Sequence, residues 1–141
     1  MANKSGYQGL LYHGTAGTTA ATLITNCEDL NYDTEQEKVE TTTRGDGTAI
    51  PKKVEDVVAL GATITWSMFL KTTDTSLTTL VAAARTGTAV AIRTKSYDTG
   101  LGFDGDCNIS VTHEMTLKGA SKFNFTATPT DTAGRAWSPN A

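Results

Sequence analysis

No apolar run in this 141-residue chain approaches the roughly 20 residues a membrane-spanning helix needs, so no membrane partner is expected. The opening stretch, MANKSGYQGLLYHGTAG, has one lysine and no apolar segment of secretion-signal length, which points to a protein that stays in the cytosol where it is made. An excess of positive charge is missing too. Twelve basic residues face 15 acidic ones, for a net charge of −3, and the cations form no stripe with aromatics between them. Tight nucleic-acid binding draws its affinity from cations meeting phosphates, so it is not expected here, although mild acidity suits a surface past which DNA must slide without sticking. There are only two cysteines, Cys27 and Cys107, without zinc or redox spacing. They read as buried thiols, with a disulfide between two strand-like segments as the alternative.

Threonine, by contrast, makes up nearly a fifth of the chain. It is β-branched, favours strands, and leaves an exposed sheet face wettable. The alternation of apolar and polar residues agrees. In ATITWSMFL, Ala62, Ile64, Trp66, Met68 and Leu70 share one face and Thr63, Thr65 and Ser67 the other. From 103 to 117, Phe103, Cys107, Ile109, Val111, Met115 and Leu117 alternate with Asp104, Asp106, Asn108, Ser110, Thr112, Glu114 and Thr116. Shorter strands are expected around Val90 and Ile92 and around Phe123 and Phe125. From Leu23 to Tyr32 the apolar parity slips, which a bulge near Asn26 would absorb. One segment has helical spacing instead: Leu77, Leu80, Val81 and Ala84, with Asp74 or Thr73 to cap the start and Gly87 to end it. The residues thus predict a single mainly β domain over 1–141, an antiparallel sandwich or barrel with one short α-helix at about 74–86.

Chemistry has few footholds. DGDCN at 104–108 begins like a calcium loop, but Ile109 stands at the sixth position and Met115 at the twelfth, so its carboxylates read as the outward half of a strand. His113-Glu114 begins a zinc-protease pattern that fails at Leu117, and His113 reads as a hydrogen-bonded core or interface residue. GTAGTT at 14–19 lacks the lysine of a phosphate loop. No catalytic residue, metal ligand or cofactor is expected. Arg44-Gly45-Asp46 is more simply a hairpin tip than a receptor tripeptide. If 37–43 and 54–60 are the rising and returning arms, the polar loop between them, about 44–53, is longer than the two to five residues usual for a hairpin. A long, mixed-charge loop with no catalytic or metal partner is best explained by association with another copy. The tail GRAWSPNA leaves Trp137 among small and polar residues, an anchor awaiting a partner surface.

The order of these features resembles the phage major tail protein family, the tail tube proteins related to the tubes of contractile tails and type VI secretion. The matching stretches are GYQGLLYHGTAG, ITNCEDLNYDTE, EKVETTTRGDG, the strand, helix and strand of VALGATITWSMFLKTTDTSLTTLVAAARTGTAVAIR, and a closing strand ending in TAT. The resemblance implies a structural, non-enzymatic virion protein that assembles into rings of six around a DNA channel, the rings stacking into a tail tube in the bacterial cytoplasm. It implies tape-measure, tail-terminator and baseplate or initiator proteins as partners, and DNA that passes without specific binding. The long loop, with Arg44, Asp46, Ile50, Lys52 and Lys53, would touch neighbouring subunits or the next ring and order on assembly. No immunoglobulin-like domain is expected after the closing strand, which keeps the contractile or secretion type open. A monomeric β-sandwich that binds carbohydrate or a receptor is the alternative; a small hydrolase would need paired carboxylates or a His-centred site that the sequence does not offer.

Overall fold

A computed structural model describes residues 5–43 and 50–141. After a 3-10 turn at Gly6–Gln8 come β1 (Leu10–Thr15), β2 (Thr22–Leu23), β3 (Cys27–Glu40), β4 (Glu55–Phe69), α1 (Thr75–Thr86), β5 (Val90–Lys95), β6 (Asp104–Glu114) and β7 (Lys122–Pro129). The strands make one antiparallel sheet in the order β2-β1-β5-β6-β7-β4-β3. Of the two expected forms, sandwich or barrel, the structure is nearer the second: a single sheet curls into a half-barrel, with α1 packed against it.

The helix forms where its spacing predicts. The Asp74 carboxylate accepts from the N–H groups of Ser76 at 3.1 Å and Leu77 at 3.3 Å, satisfying two of the first-turn donors. Gly87, at φ 74°, ends it in the left-handed conformation that a residue without Cβ adopts freely. Leu77, Leu80 and Ala83 are buried under it, while Val81 and Ala84 pack at the margin of the core.

The core lies between helix and sheet. Along β4, Ala62, Ile64, Trp66 and Met68 are buried as the alternation requires; Leu70, past the end of the strand, is half-exposed. Trp66 stacks on Phe125 with ring centroids 5.1 Å apart. Burying each large apolar side chain contributes on the order of 1.5–3 kcal/mol, so this row accounts for much of what holds β4 in place. The parity slip in β3 falls between Glu28 and Asn31 rather than at Asn26. Asp29 takes φ 53° there, a conformation that Asp tolerates better than most residues and that fits a bulge. The long alternation of β6 stops at Glu114: Met115 and Leu117, expected to face inward, are 77% and 96% exposed in the turn to β7.

Candidate assembly surfaces

The hairpin of β3 and β4 is far longer than the sequence suggested. Its ladder runs from Cys27↔Met68 out to Glu40↔Glu55, and one more bond joins the Thr41 N–H to the Val54 carbonyl at 2.9 Å. The expected arms, 37–43 and 54–60, are only its outer end. Beyond Ala62 the ribbon leaves the body, and most positions on both strands are exposed. A bare two-stranded ribbon is at best marginally stable in water. Even so, this one carries half-exposed Val39, Val54, Val57, Val58 and Leu60. Of the predicted contact residues, Ile50 is 91% exposed, Lys52 is exposed, and Lys53 pairs with Glu55 at 3.0 Å on the surface, where such pairs contribute little. Arg44 and Asp46 lie outside the described residues.

A second surface is the face of the sheet turned away from the core. Register sets Asn31 beside Thr65, Thr65 beside Thr126, and Thr126 beside Ser110. A parallel row joins Ser67, Asn124 and Thr112, with the Ser67 hydroxyl donating to Asn124 Oδ1 at 2.8 Å. On β3 the same face continues as Asp33, Glu35 and Glu37. Lys122, at one end of it, is held by Glu28 at 3.0 Å. The face is therefore uncharged and hydroxyl-rich at its centre and acidic at the β3 edge.

The third is the C-terminal strap. Ser138 and Asp104 exchange backbone hydrogen bonds at 2.7 and 3.0 Å, and Ala141 and Gly102 at 2.8 and 3.2 Å, so the last residues run as an extra strand beside the start of β6. Trp137 does not wait for a foreign surface. It stacks on Phe103 with centroids 5.6 Å apart, over Gly105, where a Cβ would lie 2.4 Å from that of Trp137. The Tyr32 hydroxyl donates to the Pro139 carbonyl at 2.9 Å, tying the strap to β3. The expected outward placement of Asp106 is also overturned. The strap covers that side of the strand, leaving Asp106 fully buried, where it accepts from the Gly17 N–H at 2.9 Å and from Arg135 at 3.5 Å. Burial alone would lower the Arg135 pKa, but its hydrogen bond to Asp104 and the charges of Asp104 and Asp106 outweigh that and raise it. With both carboxylates engaged by arginine, the calcium-like start of DGDCN is accounted for structurally, and no group of three potential metal-ligating side chains occurs among the described residues.

The remaining singled-out residues are structural as well. His113 stacks on Phe123 at 4.0 Å and its Nε2 lies 2.6 Å from the Ser121 hydroxyl. Both cysteines are free. Burial first, then nearby carboxylates, push the Cys27 thiol up to about 11 and the Cys107 thiol up to about 12, so neither is a nucleophile near neutrality. One open groove of about 420 Å³ lies between α1 and residues 70–72, lined by Leu70, Leu77, Val81 and Phe123 with Lys71 and Arg85. Sequence periodicity gave no sign of it, because it is made by the crossing of a helix over a strand end.

No protein-family model and no curated protein sequence matches the chain. Solved structures do. The chain is similar to the tail of an empty gene transfer agent particle refined with C6 symmetry, with a TM-score of 0.74 at 16% identity over 99% of this chain and 100% of that one. It is similar to the SPP1 tail tube, with a TM-score of 0.65 at 11% identity over 88% of this chain and 74% of that one. A weaker likeness, TM-score 0.50 at 13% identity over 94% and 89%, is to the sheath-tube complex of an extracellular contractile injection system. These likenesses define the class by its fold: a single curled antiparallel sheet crossed by one helix, with a long hairpin. It is the fold of tail tube subunits.

Proposed function

We propose that this chain is the structural subunit of a phage-like tail tube, not an enzyme, and that copies join into rings, six to a ring, which stack around a channel for DNA. The observation that carries this is the β3/β4 ribbon, whose apolar side chains stand uncovered on a chain with the tail-tube fold; a marginally stable ribbon with an exposed apolar patch marks a surface for association. The hydroxyl-rich face suits the channel wall. It hydrates well, its Lys122 is paired with Glu28, and its acidic β3 edge repels phosphate, so DNA slides past without binding. In this reading the loop at 44–53 touches the neighbouring ring, and the tube meets a tape-measure protein inside, a terminator at one end and a baseplate or initiator at the other, as part of the virion tail assembled in the bacterial cytoplasm.

Negative-stain microscopy of the concentrated untagged protein, with light scattering on the same fractions, tests it. Rings or tubes with an open centre are expected. A compact monomer at every concentration that also binds a glycan or cell-surface receptor would replace the tube with a binding module.

A further inference from the structure

The ribbon leaves the body with little of its own to fix its direction. On β4 the last pairing with β7 is Ile64↔Ala127, and β3, at the end of the strand order, is paired only with β4. Among the described residues, no hydrogen bond or ion pair joins positions 33–43 or 50–60 to anything outside the hairpin. Gly61 stands at the root on β4, between buried Ala62 and half-exposed Leu60, and a glycine inside a strand weakens it. The root on β3 is Tyr32, and it is held. Its ring meets Phe103 edge-on, with centroids 5.8 Å apart, and its hydroxyl donates to the Pro139 carbonyl at 2.9 Å. Phe103 in turn stacks on Trp137, and Ser138 is bonded through both backbone groups to Asp104. Tyr32, Phe103 and residues 137–139 thus close a ring of contacts between β3, the start of β6 and the strap, immediately before exposed Asp33.

Granted the tube reading on which it rests, we propose that the C-terminal strap is a brace for the ribbon, and that Tyr32 is the positioning residue through which it acts. The strap need touch no other copy. It fixes the direction of the ribbon within its own subunit, so that less freedom is lost when copies associate. Gly61 is the reason a brace is needed: β4 is loose where the ribbon begins, and β3 is tied at nearly the same level from the far side of the half-barrel.

Tyr32→Phe tests the brace, since it keeps the ring against Phe103 and deletes only the bond to Pro139. Residual dipolar couplings, measured on the full chain below the concentration at which tubes form, read the direction of each backbone N–H. In the unaltered chain the couplings of the ribbon and the body should fit one common orientation. In Tyr32→Phe those of the ribbon should shrink while those of the body stay, and the melting temperature should hardly move, because the deleted bond is exposed. The concentration needed for tubes should rise roughly three- to tenfold, the cost of ordering a ribbon that is no longer preorganised. Adding Gly61→Ala, whose Cβ would meet that of Glu35 at an ordinary 3.5 Å, should stiffen the root from the other strand and restore both the couplings and assembly. Ribbon couplings unchanged in Tyr32→Phe, or reduced couplings with an unchanged threshold for tubes, would overturn the brace and leave the tube intact. Failure of the unaltered chain to form rings or tubes at any concentration would remove the tube reading, and the brace's part in assembly with it.

Discussion

The two halves of β4 are made of similar residues and meet opposite surroundings. From Gly61 to Phe69 every second side chain is buried, stacked on β7 and roofed by α1. From Glu55 to Leu60 the strand also carries large apolar residues, Val57, Val58 and Leu60, yet it pairs only with β3 and every side chain is exposed. Local propensity formed both halves; tertiary cover decided which became core. The body half stabilises the subunit by itself, whereas the outer half leaves its apolar surface half-exposed.

The sharpest way to break this contrast is to cut one large side chain from each half. Trp66→Ala should cost the isolated subunit roughly 3–5 kcal/mol, from lost burial and the cavity left against Phe125. Leu60→Ala should cost less than about 0.5 kcal/mol in the same denaturant titration of dilute protein, since its side chain is already half in water. A core-sized loss at Leu60 would mean that the ribbon packs on its own body and is not an assembly surface.

Next in size comes the strap. Asp106→Ala would leave the Gly17 N–H without its acceptor and remove one of the two carboxylates facing Arg135, which Asp104 would still hold. A loss of about 1–3 kcal/mol is expected, as when a buried hydrogen-bond partner is removed. If stability holds, the strap is only resting on the body. Its fluorescence reporter is Trp137, which should remain shielded from quencher in the unaltered chain.

Smaller for the fold, though decisive for assembly, is removal of residues 44–53. The stems are held by the β3–β4 ladder up to Thr41 and Val54, so the shortened subunit should keep its stability within about 0.5 kcal/mol. Tubes should not form. Tubes of normal appearance from the shortened chain would assign stacking to the stems alone.

Much of the body was legible in the sequence. Period-two alternation marked β4 and β6, and Asp74 and Gly87 bounded α1 because capping is local chemistry. Where the reading failed, the cause was distant in the chain. Met115 and Leu117 kept the alternation but had no facing layer, and Asp106 was buried by residues some thirty positions later, whose docking no window around Asp106 could reveal. Trp137, read from the sequence as an anchor for a partner surface, stacks on Phe103 of its own chain. Of the candidate assembly surfaces, the loop was visible as length and polarity, whereas the ribbon was hidden because covered and uncovered strands share one pattern. The groove, formed by two elements crossing, has no pattern at all.

His13 offers the gentlest probe of the covered half. It is 8% exposed on β1, and its Nε2 lies 3.0 Å from the hydroxyl of Ser76, in the first turn of α1, so it ties the roof to the sheet. Burial lowers its pKa below the usual value of 6.5; the nearby Asp74 carboxylate opposes this and wins back only part. A depressed histidine takes up its proton more readily in the unfolded chain. Its contribution is therefore complete above about pH 6.5 and declines as pH falls through 6.5 toward the lower folded value. Thermal melts between pH 7.5 and 5.5 should show a small acid loss that His13→Gln, still able to bond Ser76, flattens. Tube stacking through the ribbon should be indifferent to His13 over the same interval; a shared pH dependence would tie the assembly surface to the roof of the core, and the division between the two halves of β4 would fall.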